Sequence, residues 1–317
     1  MKQIFRQPVI NTKDAMWLGV SILLFVIFYF EFLSNIASNT TNAGNIYLPL
    51  YLFAVVIYGI ALATKNRGTF NLFNYGYDRT AKDLYKAIAV GAVFGVVLVF
   101  GYLNSNNLLS IFSPPILAIA GTAALGTYLT LAIVQIFGAE TEEFAIQSAF
   151  IPTILKLLKS GSELPIIFFM FGLFFLVTPL IQSTIIALTL IVLAVIFTFN
   201  PKLNGRFSNS QILRFIAAFT VGAFIFALFH IYAYGQAPNA TQLFISAFLF
   251  SIIDSSINYY MGSTTAGKVA HSINNGFIFS IVNGIALQIP LLIEGIYILI
   301  IVISFKYSSK SLNVVGG

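Results

Sequence analysis

The chain has 317 residues, 58% hydrophobic and 8% charged, with a mean hydropathy of +0.92. A soluble domain carries about 25% charged residues, and so low a charge density cannot clothe a water-facing surface. Soluble enzymes, nucleic-acid-binding domains and disordered chains are therefore excluded. The formal net charge of +6 reflects 16 Lys and Arg against 10 Asp and Glu; in a chain this apolar the excess reads as a topology label.

A membrane-spanning helix needs roughly 20 mostly apolar residues. Candidate spans run near 16–36, 47–64, 85–103, 116–138, 165–181, 183–199, 211–233, 242–260, 265–285 and 288–305, with a further helix of unassigned depth at 140–158. These predict an all-α, polytopic transmembrane bundle of about 8–10 spanning helices with an internal polar cavity. Lys2, Arg6 and Lys13 precede the first apolar run. That run exceeds about 15 residues and no small-x-small cleavage site follows, so an uncleaved first helix is expected. Pro114, Pro165, Pro201 and Pro290 fall near proposed helix ends, where a missing N–H is tolerated. Pro152 and Pro179 mark kinks or breaks within apolar segments.

Basic residues cluster at 2–13, 65–86, 156–159, 202–214, Lys268 and 306–310, whereas the loops 37–46, 104–115 and 234–241 carry no charge. The positive-inside rule then places both termini in the cytoplasm and the chain in the cell membrane as a multi-pass protein. No internal repeat of the transporter kind is visible, parallel or inverted. There is no Cys, which excludes disulfides, zinc–thiolate sites, iron–sulfur clusters and Cys nucleophiles. Only His230 and His271 are available for imidazole chemistry.

Ionisable groups at membrane depth are costly, so each is a functional candidate by default. Glu31, Asp254 and Glu294 are lone acids, read first as hydrogen-bonded packing residues. Glu140, Glu142 and Glu143 are different: three carboxylates crowd into four positions directly after an apolar helix. They serve either as acids at a helix N-terminus, favoured by its dipole, or as the source of a general base. Phe226 and His230 are four apart and share a helix face, as do His271 and Asn275. A carboxylate and an imidazole can hold and deprotonate a water; a second imidazole and a carboxamide can donate to a developing oxyanion. Those are the parts needed to hydrolyse an amide.

The motifs Glu142-Glu143-x-x-x-Gln147, Phe226-x-x-x-His230 and His271-x-x-x-Asn275 resemble the signatures of the CAAX prenyl protease and bacteriocin-processing (CPBP) family of intramembrane glutamic endopeptidases. The likeness covers roughly 116–285. It implies a catalytic core at 116–285 with an inserted helical hairpin at 165–199, preceded by N-terminal helices at 1–115 without an assigned motif. The last helix and a short cytoplasmic tail follow at 286–317. It also implies Glu142 as general base working with His230, His271 and Asn275 as the oxyanion hole, and Glu143 as a supporting acid, with no metal and no cofactor. Phe226 and Gln147 are the supporting motif positions. The implied substrate is a membrane-anchored peptide or protein, prenylated CAAX-type or otherwise, met in the lipid bilayer, with no nucleic-acid partner. Two departures stand out. Gln147 occupies the family's Arg position, so Glu143 should be more easily protonated or find another partner, and Glu142 and His230 are 88 positions apart, a wider spacing than the family's.

Three other readings use the same residues. One is a non-catalytic relative with an immunity, scaffold or chaperone role. Another is a proton-coupled transporter in which Glu142, Asp254 and the His residues relay protons. The last is a zinc site of two His and one carboxylate. On span boundaries alone, His230 sits near the outer end of its helix and His271 near the inner start of its own, about 10–14 Å apart in depth.

Overall fold

A computed structural model of the chain describes residues 80–103, 184–200, 202–203, 210–233, 240–282 and 284–314. It also describes 139, 142, 143, 146, 147, 150, 151, 154, 155, 158, 165, 168, 169 and 172. The proposed spans 16–36, 47–64 and 116–138, together with Glu31 and Glu140, lie outside the described residues.

Among the described residues every regular element is helical and there is no strand. The continuous helices are α1 (Ala81–Leu103), α2 (Thr184–Phe199), α3 (Gln211–Ala233), α4 (Ala240–Met261), α5 (Thr265–Val282) and α6 (Gln288–Val314). Among the described residues, three stretches are long and apolar enough to cross a membrane: Ala81–Leu103, Gln242–Met261 and Gln288–Lys306. The outward faces of α1 and α6 carry Val93, Phe100, Leu292 and Leu299, side chains that lipid accommodates and water would penalise.

The chain forms two compact units, one of Met1–Phe150 with Gly222–Gly317 and one of Ile151–Val221. The segment 165–199 lies within the second. There Phe215 and Phe219 pack edge to face on one side of α3. The first unit contains every residue of the site described below.

In the first unit α5 is the hub. It packs against α1, α4 and α6, and its Val269, Ile273 and Ile278 share a core with Leu84 and Val99 of α1 and Tyr297 and Ile301 of α6. Yet α5 is the most polar of these helices, holding Lys268, His271, Ser272, Asn274, Asn275 and Ser280. In an apolar surrounding such a helix is tolerated only where protein, not lipid, covers its polar groups. Lys268, which the charge pattern places among the cytoplasmic basic residues, is fully buried within this helix, so it cannot mark a loop.

The approach of α1 to α5 depends on Gly91 and Gly95, a small-x-x-x-small pair that lets two backbones close up. A Cβ at Gly91 would strike the Ala266 carbonyl oxygen, and one at Gly95 would lie 2.9 Å from the Ala270 carbonyl oxygen. Gly91→Leu should therefore lower unfolding stability in detergent by about 1–3 kcal/mol through overpacking. Val93→Leu, on the exposed face, is expected to leave the unfolding midpoint unchanged.

The turn from α4 to α5 sets the register of the site. Gly262 has φ 68°, the left-handed conformation that suits a glycine ending a helix. Ser263 N–H reaches back to the Asn258 carbonyl at 3.0 Å, closing α4 as a Schellman turn. Ser263 Oγ then accepts the Thr265 N–H at 3.1 Å, satisfying a donor of the new helix's first turn. Ser263, Thr264 and Thr265 are all buried. The turn is therefore covered by protein.

Candidate functional site

Each motif residue is delivered by helical spacing. Phe226 and His230 stand one turn apart on α3, and their rings lie 4.3 Å apart. His230 Nδ1 lies 2.9 Å from the Phe226 carbonyl oxygen. A carbonyl only accepts, so Nδ1 carries the hydrogen and Nε2 is left with its lone pair facing inward. His271 on α5 packs against Phe226 and Phe250, with centroids 5.7 and 4.9 Å away. These aromatic walls fix both imidazoles.

The two acids meet those rings. Glu142 Oε2 lies 3.7 Å from His230 Nε2 and 3.5 Å from His271 Nε2. Glu143 Oε1 lies 3.0 Å from His271 Nδ1. The side chains of Glu143 and His271 are 2% and 3% exposed, those of Glu142 and His230 11% and 10%. The more accessible pair is thus the one able to meet solvent or substrate. A small cavity of about 20 Å³ is lined by Phe226, His230, Ser246, Phe250, His271 and Asn275, among others. That is room for about one water.

The depth offset expected between His230 and His271 is absent. Both lie within 3.7 Å of one carboxylate oxygen. The reason is the buried α4–α5 turn: α5 begins within the protein, so counting residues inward from a membrane boundary misplaces His271.

Gln147 reaches across to α4. Its Nε2 donates to Asp254 Oδ2 and to Ser255 Oγ on α4, each at 2.9 Å. Ile146, Gln147 and Phe150 have the wider π-helical backbone, a local distortion frequent at functional sites. Tyr259 Oη donates to the Gln147 carbonyl at 3.1 Å. Glu143 finds its partners in His271 and in Asn258, whose Nδ2 lies 3.4 Å from Glu143 Oε2.

Asp254, Asn258 and Gly267 are site residues that motif reading passes over. Asn258 Nδ2 donates to Asp254 Oδ2 at 2.9 Å, while its Oδ1 accepts the Gly267 N–H at 2.7 Å. A Cβ at Gly267 would collide with Asp254, Asn258 and Glu143 together, so only glycine permits this cluster. The legible signal was the spacing Asp254-x-x-x-Asn258, the same one-turn stripe as the two His motifs. Glu294, by contrast, is a packing acid: it accepts a hydrogen bond from Ser272 Oγ at 2.9 Å and sits outside the cavity lining. Asn274, buried beside Asn275, also lines the cavity.

Glu142, His230 and His271 each turn one ligand atom toward a common point, all within 4.8 Å of one another. This is the set among the described residues that can hold a metal ion. Both Nδ1 atoms face an acceptor, the Phe226 carbonyl and the Glu143 carboxylate, an arrangement that orients metal-bound histidines.

No protein-family model, no curated protein and no solved structure matches the chain.

Proposed function

We propose that this protein is an intramembrane endopeptidase of the CPBP type, hydrolysing a peptide bond in a membrane-associated substrate with a water held by Glu142 and His230. The carrying observation is the approach of Glu142 to both imidazoles, 3.7 and 3.5 Å away, beside a cavity that takes one water. In this reading the chain is a multi-pass bundle of about 8–10 spans around a polar cavity, with both termini cytoplasmic.

The steps follow from the hydrogen-bond roles. His230, protonated at Nδ1, accepts a water hydrogen at Nε2. Glu142 takes a proton from the same water as it attacks the substrate carbonyl carbon. The carbonyl π electrons move to oxygen, and that oxyanion accepts from His271 Nε2–H and the Asn275 carboxamide. His271 enters and leaves the cycle with both ring protons, Glu143 being the counter-charge on Nδ1. Glu142 returns its proton to the amide nitrogen, the C–N bond breaks, and a carboxylic acid and an amine leave. A membrane-anchored substrate fits because the supporting helices are apolar and two aromatic rings, Phe226 and Phe250, border the cavity.

A zinc-dependent hydrolase is the second reading, favoured by the shared point of the Glu142, His230 and His271 ligand atoms. Zinc in such a set is an established catalytic arrangement. One experiment separates the two. Purified protein in liposomes is given a membrane-anchored reporter peptide, with and without prior washing in a strong chelator. The metal-free reading predicts cleavage at the same rate after washing. Loss of cleavage that returns on adding zinc assigns the zinc reading, and no cleavage in any condition rejects both.

A further inference from the structure

We propose that Asp254 is a positioning residue: it holds a proton that it donates to Glu143, and this keeps Glu143 aimed at His271 Nδ1. Three observations carry it. Asp254 Oδ1 and Glu143 Oε2 converge over Gly267, where a Cβ would meet both at once, and two buried carboxyl groups brought together are stabilised by one proton on the pair. Asp254 Oδ2 already accepts from two N–H donors, Gln147 Nε2 and Asn258 Nδ2, each at 2.9 Å. Asp254 Oδ1 is buried and, among the described residues, meets no N–H or O–H donor. A hydrogen on Oδ1 gives this oxygen a role, and Glu143 is the acceptor beside it.

The surrounding contacts leave little alternative. Asn258 cannot exchange its amide ends, because its Oδ1 holds the Gly267 N–H. Its Nδ2 must therefore face the two acids. Gly267 provides the space in which Asp254 Oδ1 and Glu143 Oε2 both fit. Gln147 brings no charge of its own and anchors Asp254 from the other side. The series Gln147–Asp254–Glu143–His271 thus links the 142–150 segment, α4 and α5 through buried side chains and ends on an imidazole of the proposed site. Asp254 touches neither water nor substrate in this scheme. It acts through Glu143, and displacing a reacting group by about 1 Å costs on the order of 100-fold in rate.

Asparagine is the informative substitution. In Asp254→Asn the amide oxygen still accepts from Gln147 and Asn258, and the amide nitrogen donates to Glu143 where the carboxyl hydrogen did. The kinetic readout rests on the peptidase reading; the spectroscopic one does not. Full-length protein labelled with ¹⁵N-histidine and reconstituted in liposomes has only two imidazoles, and His230→Gln assigns His271. Wild type and Asp254→Asn should show His271 Nδ1 protonated with the same hydrogen-bonded proton shift. In Asp254→Ala that shift should change. Cleavage of the reporter should stay within about 3-fold of wild type for Asp254→Asn and fall about 10–100-fold, mainly in kcat, for Asp254→Ala. If Asp254→Ala does not fold, Asp254→Ser takes its place with the same expectation. An unchanged His271 signal in the Ala or Ser variant overturns the assignment. So does an Asp254→Asn variant as impaired as those. If wild type cleaves nothing, the peptidase reading fails, and the His271 signal still decides the role of Asp254.

Discussion

Glu142→Gln should lower kcat/KM for a membrane-anchored peptide by at least about 10³-fold, the upper range of general-base contributions. The argument is one of hydrogen-bond roles. Glu142 Oε2 is the atom that both imidazole Nε2 atoms approach, at 3.7 and 3.5 Å. A carboxamide keeps the size and the acceptor oxygen but cannot take the proton of water. The protein should remain folded, because Glu142 is the more exposed of the two adjacent acids and glutamine still reaches His230. The measurement is initial cleavage rate in liposomes, with the thermal unfolding midpoint as control. A fall in rate without a fall in midpoint is the expected pair of results.

His271→Ala should be worse for stability and nearly as damaging for rate. His271 donates Nδ1–H to Glu143 at 3.0 Å and packs on Phe250 at 4.9 Å. Its loss removes the imidazole partner of a carboxylate that is 2% exposed, at a cost approaching the roughly 3–5 kcal/mol of a broken buried charge pair. It also opens a void against two aromatic rings. His271→Gln separates the effects: glutamine can donate to Glu143 from one end but cannot also present an N–H to an oxyanion. We expect His271→Gln to recover most of the lost stability. Its kcat should still lie about 10²–10³-fold below wild type, the range for losing one oxyanion donor. Equal kcat in His271→Gln and wild type would remove His271 from the oxyanion role.

How much of this was legible beforehand depends on the range of the interaction. The stripes Phe226–His230 and His271–Asn275 follow from the 3.6-residue period alone, and α3 runs over the same residues, 211–233, that the apolar pattern marks. The replacement of Arg by Gln147 left open whether Glu143 is more easily protonated or finds another partner, and the structure sets it against His271 and Asn258. Depth was misread, because counting inward from a boundary assumes that every helix starts at the membrane surface. The turn at Gly262 is buried, and α5 starts within the fold. Lys268 was misread for the same reason. Asp254 was legible only as a lone acid. Its link to Gln147, 107 positions away in the chain, is a tertiary contact that no local period encodes. The Gly91–Gly95 spacing suits close helix packing, but nothing in it names the partner, the backbone of α5.

The central claim is that Glu142 and His230 deliver a water to a peptide carbonyl. Its most direct test is cleavage of a membrane-anchored reporter in H₂¹⁸O by chelator-washed protein in liposomes, with both product fragments weighed by mass spectrometry. The account predicts one ¹⁸O in the newly formed carboxylate with wild type and no product above background with Glu142→Gln. Intact reporter with wild type, or equal ¹⁸O-labelled product from Glu142→Gln, would contradict it.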